Sequence, residues 1–352
     1  MFRKPKGIGT CPRNTPSPAK AGAGWSLNAA SGLFTKPSTM ERKTLEKESL
    51  FTEKGGRDEG KQTPRDAATV ILLRDRTEGL YEVFLVRRHR NQAFMGGAYV
   101  FPGGRLDDAD TDPELAACIG GFCAADAMRL LQETDLPEAT ALGLFVAAIR
   151  ETFEEAGVLL ARDARGKVVD LSAPETAARF SCYRLELHEG RLTLAELVRR
   201  EGLIFAPDLL VPYAHWITPE IEPRRFNTRF FLARLPEGQV PVHDRLELTE
   251  SSWMTPAFAL AENEAGRIIL MPPTLKTMEE LLSFPNSAQL FAAARSRRIR
   301  TILPEVFRTA DGFGIRLPHD SEYTLNVGKQ QPHPGGSTRI VMEDGIWRAR
   351  SV

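Results

Sequence analysis

The sequence predicts an α/β fold in which helices pack on a mixed β-sheet. Three features lead to this prediction: a β-rich segment at 68–86, a strongly patterned helix at 140–156, and an alternating, aromatic-rich strand at 225–235. Strands that flank a helix and are followed by further strands and helices are typical of layered α/β domains. Apolar residues make up 42% of the 352 positions, so the chain can bury a sizeable core.

Composition divides the chain into three parts. Residues 1–63 are rich in Gly, Pro, Ser, Thr, Lys and Glu and have no sustained apolar period, so we expect a disordered segment or an extension. Residues 64–323 carry the patterned elements and are predicted to form the folded domain. Residues 324–352 are predicted to be a loop-like C-terminal tail with one strand at 338–342.

The first elements are predicted to be strands. Residues 68–73 and 81–86 are β-rich runs separated by a polar turn, which indicates a hairpin. A third short strand is expected at 98–101, stopped by the Pro-Gly-Gly sequence that ends at Gly104.

Helices follow in the middle and later parts of the chain. The acidic, Ala-rich residues 111–135 predict one or two short helices, and further helices are expected at 193–201, 275–282 and 287–298. Trp253 is expected to follow a polar loop.

The helix at 140–156 has two opposite faces. Its apolar stripe consists of Leu142, Phe145, Val146, Ile149 and Phe153. At about 100° per residue, the three acids Glu151, Glu154 and Glu155 fall on the other side. Gly157 is placed to cap the C-terminus.

Three carboxylates within about one helical turn repel one another unless a cation lies among them. Mg²⁺ prefers oxygen ligands, usually one or two carboxylates together with water and substrate phosphates. The pattern therefore predicts a divalent-metal site, and the alternative is a solvated acidic face.

The segment Phe101-Pro102-Gly103-Gly104-Arg105 ends the third predicted strand. Glycines at this point allow the backbone to approach a ligand or a metal closely. The alternative interpretation is an ordinary glycine turn.

Together these two segments resemble the Nudix box, G-x5-E-x7-R-E-U-x-E-E-x-G-U, in which U is a bulky apolar residue. Gly104 matches the first glycine, and the helical half is matched by Arg150, Glu151, Glu154, Glu155, Gly157 and Val158. Two departures stand out: Asp110 replaces the first Glu, and residues 111–149 stand where the motif has seven. An insertion of this kind is tolerable because the cost of loop closure grows only logarithmically with length.

The interrupted box is similar to that of the peroxisomal-type Nudix coenzyme A diphosphatases, and the likeness extends over roughly 66–323. It includes His215-Trp216-Ile217-Thr218-Pro219-Glu220, Arg225-Phe226-Asn227-Thr228-Arg229-Phe230-Phe231 and Leu317-Pro318-His319-Asp320. The Leu-Arg pair that coenzyme A hydrolases carry upstream of the box is not evident. The resemblance implies a Nudix-type α/β/α sandwich with a mixed sheet, a helical insertion within 111–149 and C-terminal helices.

The same resemblance implies Mg²⁺- or Mn²⁺-dependent hydrolysis of a diphosphate linkage in a small nucleotide. The expected substrate is coenzyme A or acyl-coenzyme A, cleaved to 3′,5′-ADP and (acyl-)phosphopantetheine. The alternatives are a pyrophosphatase for ADP-ribose- or NADH-type nucleotides and a non-catalytic Nudix-fold binding module. The insertion and the helices after Thr274 are expected to wall the substrate pocket.

The resemblance also assigns roles to residues. Glu151 and Glu155 are the expected catalytic metal ligands, Glu154 is a third ligand, and Arg150 is expected to pair with Glu154 and orient it. Family members often place another catalytic glutamate, a metal ligand or a base, in a loop before a Trp. Glu250 matches this position and Glu247 is the alternative, while the competing interpretation of Glu250 is an exposed loop acid. The expected substrate-binding residues are Gly103, Gly104, Arg88, Arg105 and Arg225. For these arginines and for Arg229, surface ion pairing is the competing interpretation.

Charge and cysteine content exclude some other functions. Lys plus Arg and Asp plus Glu both number 46, which argues against binding driven by nucleic-acid phosphates or anionic lipids. The longest largely apolar uncharged stretch, 139–149, is far short of the roughly 20 residues of a membrane helix. Four scattered cysteines predict reduced thiols and a cytoplasmic location.

Overall fold

The computed structural model describes residues 62–77, 79–89, 96–244, 247–310, 312–330 and 336–351. The segment predicted to be disordered or an extension lies, apart from its last two positions, outside the described residues.

The described strands are, in chain order, β1 (Arg65–Asp75), β2 (Tyr81–Arg88), β3 (Tyr99–Val100), β4 (Gly103–Arg105), β5 (Ala161–Arg162), β6 (Ile204–Phe205), β7 (Val211–Ile217), β8 (Phe226–Arg234), β9 (Leu248–Met254), β10 (Thr301–Ile302), β11 (Glu305–Thr309), β12 (Gly312–Arg316), β13 (Arg339–Glu343) and β14 (Ile346–Arg350). The described α-helices are α1 (Pro113–Ala116), α2 (Ala124–Leu131), α3 (Glu138–Ala156), α4 (Pro174–His188), α5 (Leu194–Glu201), α6 (Pro256–Glu264), α7 (Pro272–Leu281) and α8 (Ser287–Ser296). Short 3₁₀ helices occupy Asp108–Thr111 and Pro207–Leu209.

The main sheet is mixed. Its strand order is β10-β7-β8-β1-β2-β3, with β4 paired to β1 and β9 paired to β2. The central strand β1 runs parallel to β8 and antiparallel to β2 and β4. The predicted hairpin and the predicted strand at 225–235 are confirmed, and a two-stranded β5-β6 sheet and a four-stranded β11-β12-β13-β14 sheet accompany the main one.

Helix α3 covers one face of the sheet. Its apolar stripe enters the main core, where the Phe145 ring lies 5.0 Å from the Phe231 ring of β8. Helices α7 and α8 lie on the sheet as well: the Tyr81 hydroxyl donates to the Leu281 carbonyl at 2.6 Å, and α8 contacts β1 and β7. The predicted α/β/α arrangement is confirmed.

The insertion forms a helical excursion that returns the chain to α3. Helices α1 and α2 lie within it, as expected, and both contact α3. Glu133, just after α2, accepts two hydrogen bonds from Arg229 of β8 at 2.9 and 2.7 Å. This buried arginine therefore ties the insertion to the sheet instead of facing a ligand.

Helix α3 ends where the sequence predicts. Gly157 adopts a left-handed backbone with φ of 70°, and its N–H donates to the Phe153 carbonyl at 2.9 Å. A glycine takes this conformation without the penalty that a side chain would carry.

Three features of the fold differ from the sequence-based expectations. The third strand, β3, ends before Pro102 as predicted, but Gly103 and Gly104 then begin a further strand, β4, because this segment pairs with Ala68 and Thr69 of β1. In the tail after 324, the predicted strand at 338–342 is confirmed as β13, but a second strand, β14, was not predicted, and because β13 pairs with β12 one sheet continues across the predicted boundary. Helix α4 was not predicted, because Phe180 is its one fully buried residue and its apolar pattern is therefore weak. Among the helices that the structure describes, none combines the length and the apolar character needed to cross a bilayer.

Candidate active site

A cleft of about 530 Å³ lies beside the C-terminal half of α3, a size typical of small-molecule sites. One side is formed by β4 and α3, and a second by β7, β8 and the loop between them. The remaining wall comes from the start of α7 and from Pro304, Ile315 and Trp347. Residues 111–149 do not line this cleft, and of the helices after Thr274 only Thr274 itself contributes, so the predicted walls were largely wrong.

The two glycines of β4 hold two of the glutamates of α3. The Gly103 N–H donates to the Glu155 carboxylate at 2.9 Å. A Cβ added at Gly104 would collide with the Glu151 carboxylate, and one at Gly103 would collide with the Ala68 carbonyl. Glycine is therefore required at Gly103, where backbone atoms of β1 stand in the way, whereas a side chain at Gly104 would displace the Glu151 carboxylate.

Arg150 organises the acidic cluster. Its guanidinium lies 2.8 Å from Glu151 and 3.1 Å from Glu154, which confirms the expected pairing with Glu154. It also binds Asp110 through two hydrogen bonds of 2.8 and 2.9 Å and the Arg105 carbonyl at 3.0 Å. Asp110, which stands where the Nudix box has its first Glu, therefore pairs with Arg150, the arginine of the helical half of the box.

Burial disfavours the ionised form of all three carboxyl groups. It raises the pKa of Glu151 to about 7, with a further contribution from the Glu154 charge. Burial also raises the pKa of Glu154, and burial together with the Glu151 charge raises the pKa of Glu155 well above its ordinary range. A bound cation would favour the ionised form of each carboxylate.

The donor set fits Mg²⁺ or Mn²⁺. Glu151, Glu154 and Glu155 supply only carboxylate oxygens, the ligands that hard cations prefer, and Asp244 and Glu247 also line the cleft. The three glutamates do not already converge on one point: within the described part of the chain, no three acidic, His or Cys side chains are gathered as a metal cluster. Arg150 holds two of the glutamates and the Gly103 N–H holds the third.

Two of the predicted substrate-binding arginines line the cleft. Arg88 lies at the end of β2, and its Nε atom is buried without a hydrogen-bond partner. Its charge lowers the pKa of Glu155, which places it near that carboxylate. Arg105 is 58% exposed and is ion-paired with Asp107 at 2.6 Å.

The third predicted arginine does not reach the cleft. Arg225 is buried, and it donates to the Thr218 carbonyl at 3.0 Å and to the Gln62 carbonyl at 2.9 Å. It therefore braces the β7–β8 loop. Its neighbour Arg224 is exposed and lines the cleft instead.

Glu250 is also not where the sequence suggested. It lies within β9 and not in a loop, opposite Arg87 of β2, with 3.5 Å between the charged groups, and it does not line the cleft. The alternative, Glu247, does line the cleft, together with Asp244. Which acid of this segment faces the cleft depends on the pairing of β9 with β2, and the sequence does not reveal that register.

Several cleft residues were missed by the sequence analysis. They are Trp216, Glu222, Arg224, Asp244, Ile315 and Trp347. Ile315 and Trp347 come from the four-stranded sheet, part of which was taken for a loop-like tail. Glu222 is a buried acid in the loop between β7, which was not predicted, and β8, and burial raises its pKa to about 8.

Comparison with known proteins agrees with this geometry. Residues 121–281 match the family model described as the NUDT19 Nudix domain. The chain is 30% identical over 280 residues to the acyl-coenzyme A diphosphatase NUDT19 of Homo sapiens, covering 69% of this chain and 72% of that protein. It is 28% identical over 298 residues to the protein of the same name from Gallus gallus, covering 74% of this chain and 76% of that protein.

A solved structure shares the fold. The crystal structure of a Nudix hydrolase from Alicyclobacillus acidocaldarius is 28% identical in sequence, with a TM-score of 0.56. The match covers 66% of this chain and 97% of that one. The layered fold and the acid-lined cleft define a Nudix-type hydrolase. The chain belongs to the Nudix family, in the group that the NUDT19 Nudix domain represents.

Proposed function

We propose that this protein hydrolyses the diphosphate linkage of coenzyme A or acyl-coenzyme A, with Mg²⁺ or Mn²⁺ as cofactor. The products are 3′,5′-ADP and phosphopantetheine or its acylated form. The observation that carries the proposal is the placement of Glu151 and Glu155 against Gly104 and Gly103 on the wall of a cleft.

The acidic end of α3 supplies the metal site. Glu151, Glu154 and Glu155 would hold the ion. When bound, a divalent ion neutralises phosphate charge and lowers the pKa of a coordinated water. Without it, a polyanionic diphosphate would face a cluster of carboxylates, and the two would repel.

Side chains of this protein bind and position the substrate beside the metal site. Arg88 offers a guanidinium with an unpartnered Nε atom beside Glu155, which suits a charge-assisted hydrogen bond to a phosphate oxygen. Arg150, fixed by Asp110, keeps Glu151 and Glu154 directed along one side of the helix.

The substrate is inferred from the relatives. The human and chicken relatives are named acyl-coenzyme A diphosphatases, and each match spans more than two thirds of both chains. The mixed lining of the cleft agrees with a substrate that has both charged and apolar parts, since Trp216, Phe230 and Ile315 lie in the same cleft as the acids.

A substrate panel tests the proposal. Purified protein is incubated with coenzyme A, an acyl-coenzyme A, ADP-ribose or NADH, with Mg²⁺, with Mn²⁺ or with EDTA, and the products are separated by chromatography. The proposal predicts 3′,5′-ADP from coenzyme A substrates and none in EDTA. Preferential release of AMP from ADP-ribose or NADH would instead support the other class of pyrophosphatase, and no turnover of any compound would support a binding module.

A further inference from the structure

The loop between β7 and β8 places a buried acid in the wall of the cleft. Glu222 lines the cleft, is only 5% exposed, and its Oε1 atom is buried without a hydrogen-bond partner. A buried polar group without a hydrogen-bond partner destabilises the folded state. A polar group of a ligand that meets this carboxyl would offset that cost.

The charge state of Glu222 limits what it can bind. Burial raises the pKa of Glu222 to about 8, so its carboxyl group is mainly protonated at neutral pH. A protonated carboxyl carries one O–H donor together with acceptor capacity, and it does not repel a polyanionic substrate. A neutral partner that offers both a donor and an acceptor fits this group best.

A coenzyme A-type nucleotide offers three kinds of neutral polar group: hydroxyls on the ribose and the pantetheine arm, the amides of that arm, and the edge of the adenine base. A hydroxyl carries its donor and its acceptor on a single oxygen, so it does not match both oxygens of a carboxyl. The trans amides of the pantetheine arm point their N–H and C=O in opposite directions, so one carboxyl cannot bind both. Adenine presents its amino group and a neighbouring ring nitrogen on the same edge, which one carboxyl can bind with two hydrogen bonds. The geometry of the base edge therefore matches Glu222 better.

The surroundings of Glu222 suit the same half of the nucleotide. Phe226 is half-buried and lines the cleft, so it adds aromatic surface to the wall that carries Glu222. Arg224 is exposed on the cleft wall and makes no ion pair or hydrogen bond with any residue that the structure describes, so it is available to a phosphate.

We propose that Glu222 is a specificity-determining residue that recognises the adenine base of the substrate through the amino group and an adjacent ring nitrogen. This inference rests on the proposed function, because that function supplies the 3′-phosphoadenosine half. The inference adds a residue that recognises the base and that lies on the β7–β8 side of the cleft, whereas the glutamates lie on the α3 side.

Binding of the two half-molecules tests the inference. The affinities of the full chain for 3′,5′-ADP and for 4′-phosphopantetheine are measured by calorimetry for the wild type, Glu222→Leu, Glu222→Gln and the control Glu220→Gln, an exposed acid in the same loop. We expect Glu222→Leu to weaken 3′,5′-ADP binding by about tenfold or more and to leave phosphopantetheine binding unchanged. Glu222→Gln, whose amide also has a donor and an acceptor, should stay within about threefold.

The inference is overturned if Glu222→Leu binds 3′,5′-ADP as the wild type does, or if it loses both ligands equally. If Glu222→Leu fails to fold, the inference is tested with the wild type and two ligands. The wild type should bind 3′,5′-ADP about tenfold more tightly than the analogue that lacks the 6-amino group of adenine. Equal binding would contradict base recognition. Retained 3′,5′-ADP binding without cleavage of coenzyme A would contradict the proposed function alone, whereas absence of 3′,5′-ADP binding would overturn the inference.

Discussion

The guanidinium of Arg150 and the carboxylate of Asp110, forty positions apart, are joined by two hydrogen bonds of 2.8 and 2.9 Å. The pair connects the two halves of the interrupted motif, because Asp110 precedes the insertion and Arg150 follows it. Both side chains are buried, so the ion pair fixes the start of the insertion to the helix that carries the acids.

Removal of Asp110 should therefore destabilise the fold. Asp110→Ala removes the strongest partner of the buried Arg150 but leaves Glu151 and Glu154, so the cost should lie at the low end of the about 3–5 kcal/mol of a broken buried pair. We expect a loss of this order in the free energy of unfolding, measured by urea denaturation. Asp108→Ala, an exposed neighbour in the same 3₁₀ helix, should change it by less than about 0.5 kcal/mol. Equal stability of Asp110→Ala and the wild type would show that the pair does not hold the insertion.

Gly104 should be essential to activity for a steric reason. Gly104→Ala places a methyl group where the Glu151 carboxylate lies, so the acid must move away from its position at the cleft. We expect kcat/KM for coenzyme A to fall more than about tenfold. The control is Gly121→Ala, which has φ of 87° and open space around it: it should lose some stability while retaining activity. Full activity of Gly104→Ala would mean that the position of Glu151 does not matter.

Arg88 should contribute to substrate affinity. Arg88→Ala removes a cleft cation near Glu155, and the loss of a charge-assisted hydrogen bond corresponds to roughly a tenfold rise in KM. Arg105→Ala should have a smaller effect, because Arg105 is more exposed and already paired with Asp107. Steady-state kinetics with coenzyme A compare the two variants, and the reverse order of KM values would contradict this assignment.

Glu222 should make stability depend on pH. Its folded-state pKa of about 8 lies above the ordinary value of 4.5, so between these values the folded state binds more protons than the unfolded state. Stability from this group is therefore highest at low pH and falls as pH rises from about 4.5 to about 8. Relative to Glu222→Gln, which does not titrate, the wild type should lose at most about 1.4 kcal/mol per pH unit. Urea unfolding from pH 5 to 8 measures the difference, and parallel curves for the two proteins would contradict a buried protonated acid.

Local sequence patterns predicted the central part of the site. The period of a single helix depends only on residues that are near one another in sequence. It was enough to predict the apolar stripe of α3, the cap at Gly157 and the shared face of Glu151 and Glu155. The hairpin and β8 were predicted for the same reason, since alternation along a strand is also a local signal.

Features that depend on distant pairing were not predictable. Whether Glu250 or Glu247 faces the cleft follows from the register of β9 on β2, which shifts between Arg87 and Arg88. The role of Arg225 follows from its contact with Gln62, far away in sequence. Sequence alone shows the residue types but not these long-range partners. The cytoplasmic location stays a prediction, which cell fractionation can test.

The most direct test of the account is the release of 3′,5′-ADP from coenzyme A by the wild type, Glu155→Gln and the control Glu138→Gln at the exposed start of the same helix. Glu155→Gln keeps the size of the side chain and a partner for the Gly103 N–H, so circular dichroism should show it folded. We expect the wild type and Glu138→Gln to cleave coenzyme A when Mg²⁺ or Mn²⁺ is present, and EDTA to abolish this cleavage. The rate for Glu155→Gln should be lower by about 100-fold or more. Cleavage by folded Glu155→Gln at the wild-type rate, or wild-type cleavage that persists in EDTA, would contradict it.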